Sequence, residues 1–429
     1  MKILMVNRTL YSRSAAETVM FCLADTLERM GHEVTYFAQE HPRNENVPGA
    51  YVITRPDPAT QSRWERWKKF VWDPEVGDCL VERIAHDRPD LVLIWQINRS
   101  LTYAVVGALH EKRIPAWVML TDFTPLCPAR TMVRRRRFLL PESLRKEKPA
   151  RIACDQCAHG NFLPCIWHRC YTGKLIASIL AARENRFLRR PRTVKVKGAQ
   201  LRTCLYDRAC GFLAPSEYHR QRFRQGNFTA RPILSVGFPL PPSAFEPVET
   251  KRGKFFLFVG AVVENKGIRT MLKAMSLCVN DLELMIAGDG PFLEEAENLA
   301  HDLGITSRVS FVGALRPKAL RQTMAECLAI ITPSESESIA PLPLLQAQAI
   351  GKPAVVSDYG VLPERVADGE TGFVFRSGNA IELAHKMDEM AFMSDEDYAD
   401  MCESAADHAS AAYDAKAYAQ RILKATGFN

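Results

Sequence analysis

Three short tracts in the C-terminal half carry side chains suited to gripping an anion. Lys266 stands in Glu264-Asn265-Lys266-Gly267, just after the apolar run Phe255–Gly260. Gly288-Asp289-Gly290-Pro291 closes a second run that starts at Leu282, and Pro333-Ser334-Glu335-Ser336-Glu337 follows a third, Leu328–Thr332. A lysine ammonium supplies a point charge to a phosphate, and a carboxylate accepts hydrogen bonds from neighbouring hydroxyls. Free N–H groups at a helix start add an anion-binding surface. Together these residue types would hold an anionic, hydroxyl-rich ligand and stabilise charge that builds as a bond to it breaks.

Each tract follows a short apolar run and precedes a helical stretch. This is the rhythm of an open parallel sheet, in which ligands sit beyond the carboxyl ends of the strands. The N-terminal part repeats it. Ile3–Val6 reads as a strand, and Ala16–Met30 as a helix with Val19, Leu23, Leu27 and Met30 on one face. Gly31 is the expected C′ residue, and Val34–Phe37 the next strand. Leu91–Trp95, Ala116–Leu120 and Gly211–Ala214 continue the series. These runs are apolar throughout rather than alternating, as when helices cover both faces of a sheet. Pro239-Leu240-Pro241-Pro242 reads as a linker, and Ser394–Asn429 as alanine-rich helix. The expected fold is α/β, with two doubly wound Rossmann-like domains facing a central cleft. The expected bounds are 1–240 for the first domain, 251–405 for the second, and 406–429 for a C-terminal helix packing back on the first.

Of 429 residues, 47% are hydrophobic and 24% charged, which fits a globular protein of two domains. No run is long and apolar enough to span a bilayer, and the opening MKILMVN reads as a core strand rather than a secretion signal. The expectation is a cytoplasmic protein with reduced thiols. The net charge of +7 is unevenly spread. Leu126–Arg208 holds 20 Lys+Arg and 5 Asp+Glu, a net +15, so the remainder sums to −8. The strand–helix rhythm breaks over the same stretch, which reads as a basic, cysteine-rich insert of about 123–200. Within it Cys154, Cys157, Cys165 and Cys170 form a C-x2-C-x7-C-x4-C array that could hold a structural zinc. The alternatives are reduced buried thiols or a disulfide pair. Arg134–Arg137 and the run Arg183, Arg186, Arg189, Arg190 and Arg192 follow or flank apolar residues such as Leu175, Ile176, Ile179 and Leu180. A basic amphipathic segment of this kind can lie on an anionic membrane surface; the alternative is a solvated basic face. No nucleic-acid recognition motif accompanies the charge.

The order of motifs resembles the retaining GT-B glycosyltransferases of family 4, the "glycosyl transferases group 1". The C-terminal match covers Gly260 to Lys266-Gly267, Gly288 to Pro291, Val309 to Gly313, Pro333-Ser334 with Glu337, Gly351 to Ser357, and Asp368-Gly369 with Thr371-Gly372. The N-terminal match is looser: MKILMVN, Ser14-Ala15-Ala16-Glu17, Gly31 to Val34 and Ala214 to Glu217. The resemblance implies a nucleotide-diphosphate sugar donor on the C-terminal domain and an acceptor hydroxyl on the N-terminal one. It implies transfer with retention and no cofactor or metal for catalysis.

By the same resemblance Lys266 meets the diphosphate, Glu337 holds the donor sugar and Asp122 lines the reacting edge. Gly260, Gly288, Gly290, Ser338, Ile339, Ala340, Gln346, Ser14 and Ala15 join Lys266 in donor binding. Three positions depart from the family pattern. Ala261 stands where a phosphate-binding arginine is expected, Thr121 where a histidine is, and Gln346 where a ribose-binding glutamate is. A threonine hydroxyl can hydrogen-bond to a sugar but cannot act as an acid or base near neutrality. The expected function is a hexosyl transfer in cell-surface polysaccharide or glycolipid assembly, on a glycan or lipid-linked acceptor at the inner membrane face. The alternative is a catalytically impaired relative that binds nucleotide sugar or a partner enzyme. An epimerase or phosphorylase of the same fold is disfavoured, because the sequence shows no clear acid–base carboxylates or cofactor-lysine motif. The basic insert predicts that the protein co-sediments with anionic vesicles at low salt and is released as salt rises. Absence from the vesicle pellet at low ionic strength removes the membrane expectation.

Overall fold

The structure is a computed structural model. It describes residues 1–12, 15–54, 73–97, 101, 104–123, 208–225, 229–336 and 341–428, together with the backbone of a short antiparallel pair, β6 (Val133–Arg134) with β7 (Ile152–Ala153). The cysteine array and both arginine runs lie outside the described side chains.

The chain divides into two compact units: 1–236 with 419–429, and 237–418. In the first, β1 (Lys2–Val6), β2 (Glu33–Gln39), β3 (Ala50–Ile53), β4 (Leu91–Ile94), β5 (Ala116–Met119), β8 (Gly211–Ala214) and β9 (Ile233–Ser235) form one parallel sheet in the order β3-β2-β1-β4-β5-β8-β9. Among the described residues its helices are α1 (Ala15–Arg29), α2 (Pro74–Asp87), α3 (Ala104–Glu111) and α4 (Glu217–Gln225). Helix α1 buries Val19, Leu23 and Leu27 as its spacing predicts. It stops one residue before Met30, where Gly31 takes φ 87° and donates to Glu28 O at 2.9 Å. The unpaired carbonyls of the last turn are thus met by a residue that tolerates the left-handed region.

In the second unit, β10 (Phe255–Val259), β11 (Glu283–Ala287), β12 (Val309–Phe311), β13 (Ala329–Thr332), β14 (Ala354–Ser357) and β15 (Gly372–Phe375) pair in parallel in the order β12-β11-β10-β13-β14-β15. The helices are α5 (Ile268–Leu277), α6 (Leu293–Asp302), α7 (Pro317–Glu326), α8 (Leu342–Ala349), α9 (Ala380–Phe392), α10 (Asp395–Tyr413) and α11 (Ala415–Thr426), with the unit division falling inside α11. Both faces of the sheet are covered, which explains the unbroken apolar runs. Phe256, Phe258, Leu284, Ile286, Ile331 and Val355 point into one core. Their sequence neighbours Leu257, Ala287, Ile330, Ala354 and Val356 point into the other.

Two helix starts show the local logic. Ser394 Oγ accepts from Asp397 N at 3.1 Å ahead of α10, and Asn379 Oδ1 accepts from Glu382 N at 3.2 Å ahead of α9. Side-chain oxygens here satisfy first-turn N–H groups that have no helical partner. The proline-rich stretch after Phe238 packs inside the second unit. Leu240 is buried and donates its N–H to Tyr413 O at 2.9 Å, and Arg321 donates to Ala244 O at 3.0 Å.

Lys352, between α8 and β14, is 1% exposed. Its ammonium donates to Cys327 O at 2.8 Å and also to Lys251 O, joining the entry of the unit to the start of β13. Burial pulls its pKa below the ordinary lysine value, so the carbonyls only partly replace lost water. Lys352→Ala strands the buried Cys327 carbonyl and the part-buried Lys251 carbonyl beside a cavity. We expect a loss of about 2–4 kcal/mol in urea unfolding, read as a lower midpoint with unchanged slope.

Candidate functional site

The site is built where β10, β11 and β13 end. Gly260 closes β10, and its N–H donates to Ala287 O at 3.0 Å. Val262 then donates to Asp289 O at 2.9 Å, and Phe292 donates back to Val262 O at 3.1 Å. The loops after β10 and β11 are therefore laced by backbone alone. Gly288 has φ 157°, and a Cβ there would lie 1.8 Å from Gly260 O. Only glycine allows the two loops to run this close. Asp289 Oδ1 accepts from Gly290 N at 2.7 Å, which fixes the turn before Pro291.

Lys266 ends a single 3-10 turn, Glu264–Lys266, ahead of α5. Gly267 takes φ 75°, and a Cβ on it would meet Pro333 O at 1.8 Å. The loop after β13 thus lies against the Lys266 loop. Glu335 N–H donates to Asn265 O at 3.0 Å, and Thr270 Oγ1 donates to Glu335 Oε1 at 2.7 Å. On the other side Ser357 Oγ, at the end of β14, donates to the buried Ser334 O at 2.7 Å. Lys266 is half-buried, and desolvation lowers its pKa. Among the described residues no carboxylate lies within ion-pair distance of its ammonium. A cation held partly out of water in this way favours an anion that restores its lost solvation.

Of the sequence-predicted site residues, Gly260, Lys266, Gly288 and Gly290 come together at these strand ends. Gln346 lies half-buried in the second half of α8, not at its start. Pro341 is the N-cap of this helix, its carbonyl accepts from Leu345 N at 3.2 Å, and Pro343 occupies the first turn. Glu337, Ser338, Ile339, Ala340 and Ser14 lie outside the described residues, as do Cys154, Cys157, Cys165 and Cys170. Among the described residues no group of three or more His, Cys, Asp or Glu is placed to hold a metal ion.

In the first unit Ala15 opens α1, and Glu17 is buried in its first turn rather than solvated. Thr121 and Asp122 are half-buried just beyond β5. Phe123 after them stacks on His219 and Phe223, with centroids 5.0 and 5.6 Å away. His219 Nδ1 lies 2.7 Å from Ser216 Oγ, which also accepts from His219 N and so caps α4. Asn7, at the end of β1, accepts from Gln96 N at 3.2 Å beyond β4. Sequence reading missed Asn7, His219, Thr270 and Glu335. Of these only Glu335 carried a signal, its place in the tract after β13.

The position left without an arginine, Ala261, is exposed. The nearest cation along α5 is Arg269. It is already engaged, with its guanidinium 5.4 Å from the centroid of the Phe292 ring and paired to Glu295.

Residues 243–409 match the family described as "Glycosyl transferases group 1". A curated relative from Corynebacterium aurimucosum, a D-inositol 3-phosphate glycosyltransferase, is 31% identical over 165 residues. That match covers 36% of this chain and 39% of the relative. An uncharacterised glycosyltransferase of Methanocaldococcus jannaschii is 30% identical over 139 residues, 32% of this chain and 35% of the relative. The chain thus matches little more than a third of the length of these relatives. Solved structures extend the likeness across the fold. A sucrose-phosphate synthase from Thermosynechococcus elongatus superposes with TM-score 0.65 at 15% identity, over 99% of this chain and 98% of that one. An Anabaena protein solved with UDP gives 0.64 at 17% identity, over 99% of both chains. The two parallel sheets are those of the GT-B architecture. Gly267→Ala forces a Cβ into the Pro333 carbonyl at positive φ; we expect a loss of at least about 2 kcal/mol in chemical unfolding.

Proposed function

We propose that this chain, whose residues 243–409 belong to the glycosyl transferases group 1 family, moves a sugar from a nucleotide-diphosphate donor to an acceptor hydroxyl. The observation that carries this reading is the half-buried Lys266, held without a carboxylate partner among the described residues where the loops after β10, β11 and β13 converge. The ammonium would meet the diphosphate and offset the charge that develops as the glycosidic bond to phosphate breaks. Hexose transfer with retention, in cell-surface polysaccharide or glycolipid assembly, is the finer reading. It rests on the motif resemblance and on the basic insert. Asp122, at the end of β5, would line the acceptor side, and Glu337 would hold the sugar hydroxyls. The Anabaena protein's complex with UDP-glucose, at TM-score 0.60 and 17% identity, adds support for a nucleotide-sugar ligand.

A second reading, a protein that binds nucleotide sugar without transferring it, is favoured by the exposed Ala261 and by Thr121 and Gln346 at positions of expected chemistry. No helix among the described residues is long and apolar enough to cross a membrane. Contact with a membrane face would therefore run through the basic insert.

A ligand that binds only the folded state raises the melting temperature. Screening UDP-, GDP-, ADP- and dTDP-sugars by thermal shift should give at least one stabilising donor, and Lys266→Ala should weaken that shift. Released nucleotide in the presence of acceptor then separates transfer from binding alone. The pH dependence has a defined sign. The lowered Lys266 pKa is raised again when phosphate binds, so binding takes up a proton between the two values. Affinity should fall as pH rises through the lowered pKa, below the ordinary lysine range, and Lys266→Ala should flatten that limb. No shift with any nucleotide, or a full shift in Lys266→Ala, removes the assignment.

A further inference from the structure

We propose that Glu335 is a positioning residue for the diphosphate site: its carboxylate, acting through Thr270, holds the Lys266 loop in place without touching the ligand. This rests on the donor reading above. Glu335 grips that loop at two points that bracket Lys266. Its N–H donates to Asn265 O at 3.0 Å, one residue before the lysine. Its Oε1 accepts from Thr270 Oγ1 at 2.7 Å, four residues after it.

The threonine is the telling partner. Thr26, Thr323 and Thr426 donate to the carbonyl four residues back in their own helices, at 2.7, 2.9 and 2.9 Å. That is the usual resting place of a helical threonine hydroxyl. For Thr270 the equivalent carbonyl is that of Lys266. Its hydroxyl is instead directed to a carboxylate 65 residues away in sequence, and Thr270 is only 7% exposed. A charge-assisted bond at a site largely shielded from water is stronger than its neutral counterpart.

The rest of the loop is anchored from the opposite side. Ser357 Oγ holds Ser334 O at 2.7 Å, and Ser334 Oγ donates to Ser336 O at 3.2 Å. Pro333 O abuts Gly267. Glu335 therefore transmits the fixed end of β13–β14 to the turn that carries the cation. The backbone attachment is open to any residue at 335; the bond from Thr270 is the one that needs the carboxylate.

The test uses the full-length protein and whichever of UDP, GDP, ADP and dTDP the wild type binds most tightly, with Kd from calorimetry. Glu335→Ala should weaken binding about tenfold, the scale of one charged hydrogen bond. Glu335→Gln, whose amide oxygen still accepts from Thr270, should restore affinity to within about threefold. Thr270→Val should reproduce the loss and Thr270→Ser rescue it, which keeps the test available if Glu335→Ala does not fold. In a Lys266→Ala background, Glu335→Ala should change affinity by less than about twofold, because the group it positions is gone.

Wild-type affinity in both Glu335→Ala and Thr270→Val overturns the inference. So does an equal loss with and without Lys266. A loss in Glu335→Gln as large as in Glu335→Ala, with wild-type affinity in Thr270→Val, would make the carboxylate a direct ligand contact and overturns it as well. Failure of the wild type to bind any of the four nucleotides overturns the donor reading itself, and the role of Glu335 falls with it. Binding that Lys266→Ala weakens but Glu335→Ala spares leaves the donor reading standing and removes only this inference.

Discussion

The second unit turns on the approach of main chain to main chain at the carboxyl ends of β10, β11 and β13. Gly288 runs against the Gly260 carbonyl, and Gly267 against that of Pro333, each at a distance no Cβ could occupy. Loops packed this closely have little freedom to splay. Their path is set by sterics and backbone hydrogen bonds before any ligand arrives. A ligand entering such a site does not have to order it first, which is how a small number of contacts can suffice. The half-burial of Lys266 follows from the same approach, since the turn that carries it is pressed onto the Pro333 loop.

Two lysines in this unit show what the surroundings decide. Lys352 is almost wholly buried, and its ammonium is met by the carbonyls of Lys251 and Cys327. It ties the entry of the unit to the strand that leads into the site. Lys266 also has a pKa lowered by desolvation, yet among the described residues no carboxylate stands beside it. A buried polar group with its partners in place is structural. A partly buried cation at the mouth of a parallel sheet, where ligands gather, would serve the anion of the proposed donor instead. The residue type is the same, and the local supply of acceptors separates the two roles.

The strands were legible because they are continuous apolar runs. Phe255–Val259, Glu283–Ala287 and Ala329–Thr332 fall within a residue or two of the expected bounds. Gly31 was legible as a helix stop because its role is local. The start of α8 was harder. Pro341 and Pro343 both suit a helix opening, and the choice depends on where the loop before it is pinned. The pairing of Thr270 with Glu335 was invisible for a related reason. Their bond spans 65 positions, and neither periodicity nor a motif records it. The burial of Lys352 was equally hidden, although the Gly351-Lys352-Pro353 tract was read. In the first unit, Asp122 was placed at a strand end by pattern, but the Phe123–His219–Phe223 stack behind it arises only when β5 and β8 lie side by side.

The absence of an arginine after Gly260 changes how the proposed site must work. Arg269 is committed to Glu295 and the Phe292 ring, and Ala261 offers no charge. In the proposed site Lys266 would then carry the cationic load that the loop after β10 offers the diphosphate. Coulomb attraction falls with distance and rises as water is excluded, so one ammonium can do much only if it is held close and kept partly dry. Two cations could share the error of a loose loop; a single one cannot. A site reduced to one lysine therefore depends more heavily on whatever fixes that lysine's turn. In this fold the turn is fixed by Gly267 from beneath and by the two attachments of Glu335 on either side.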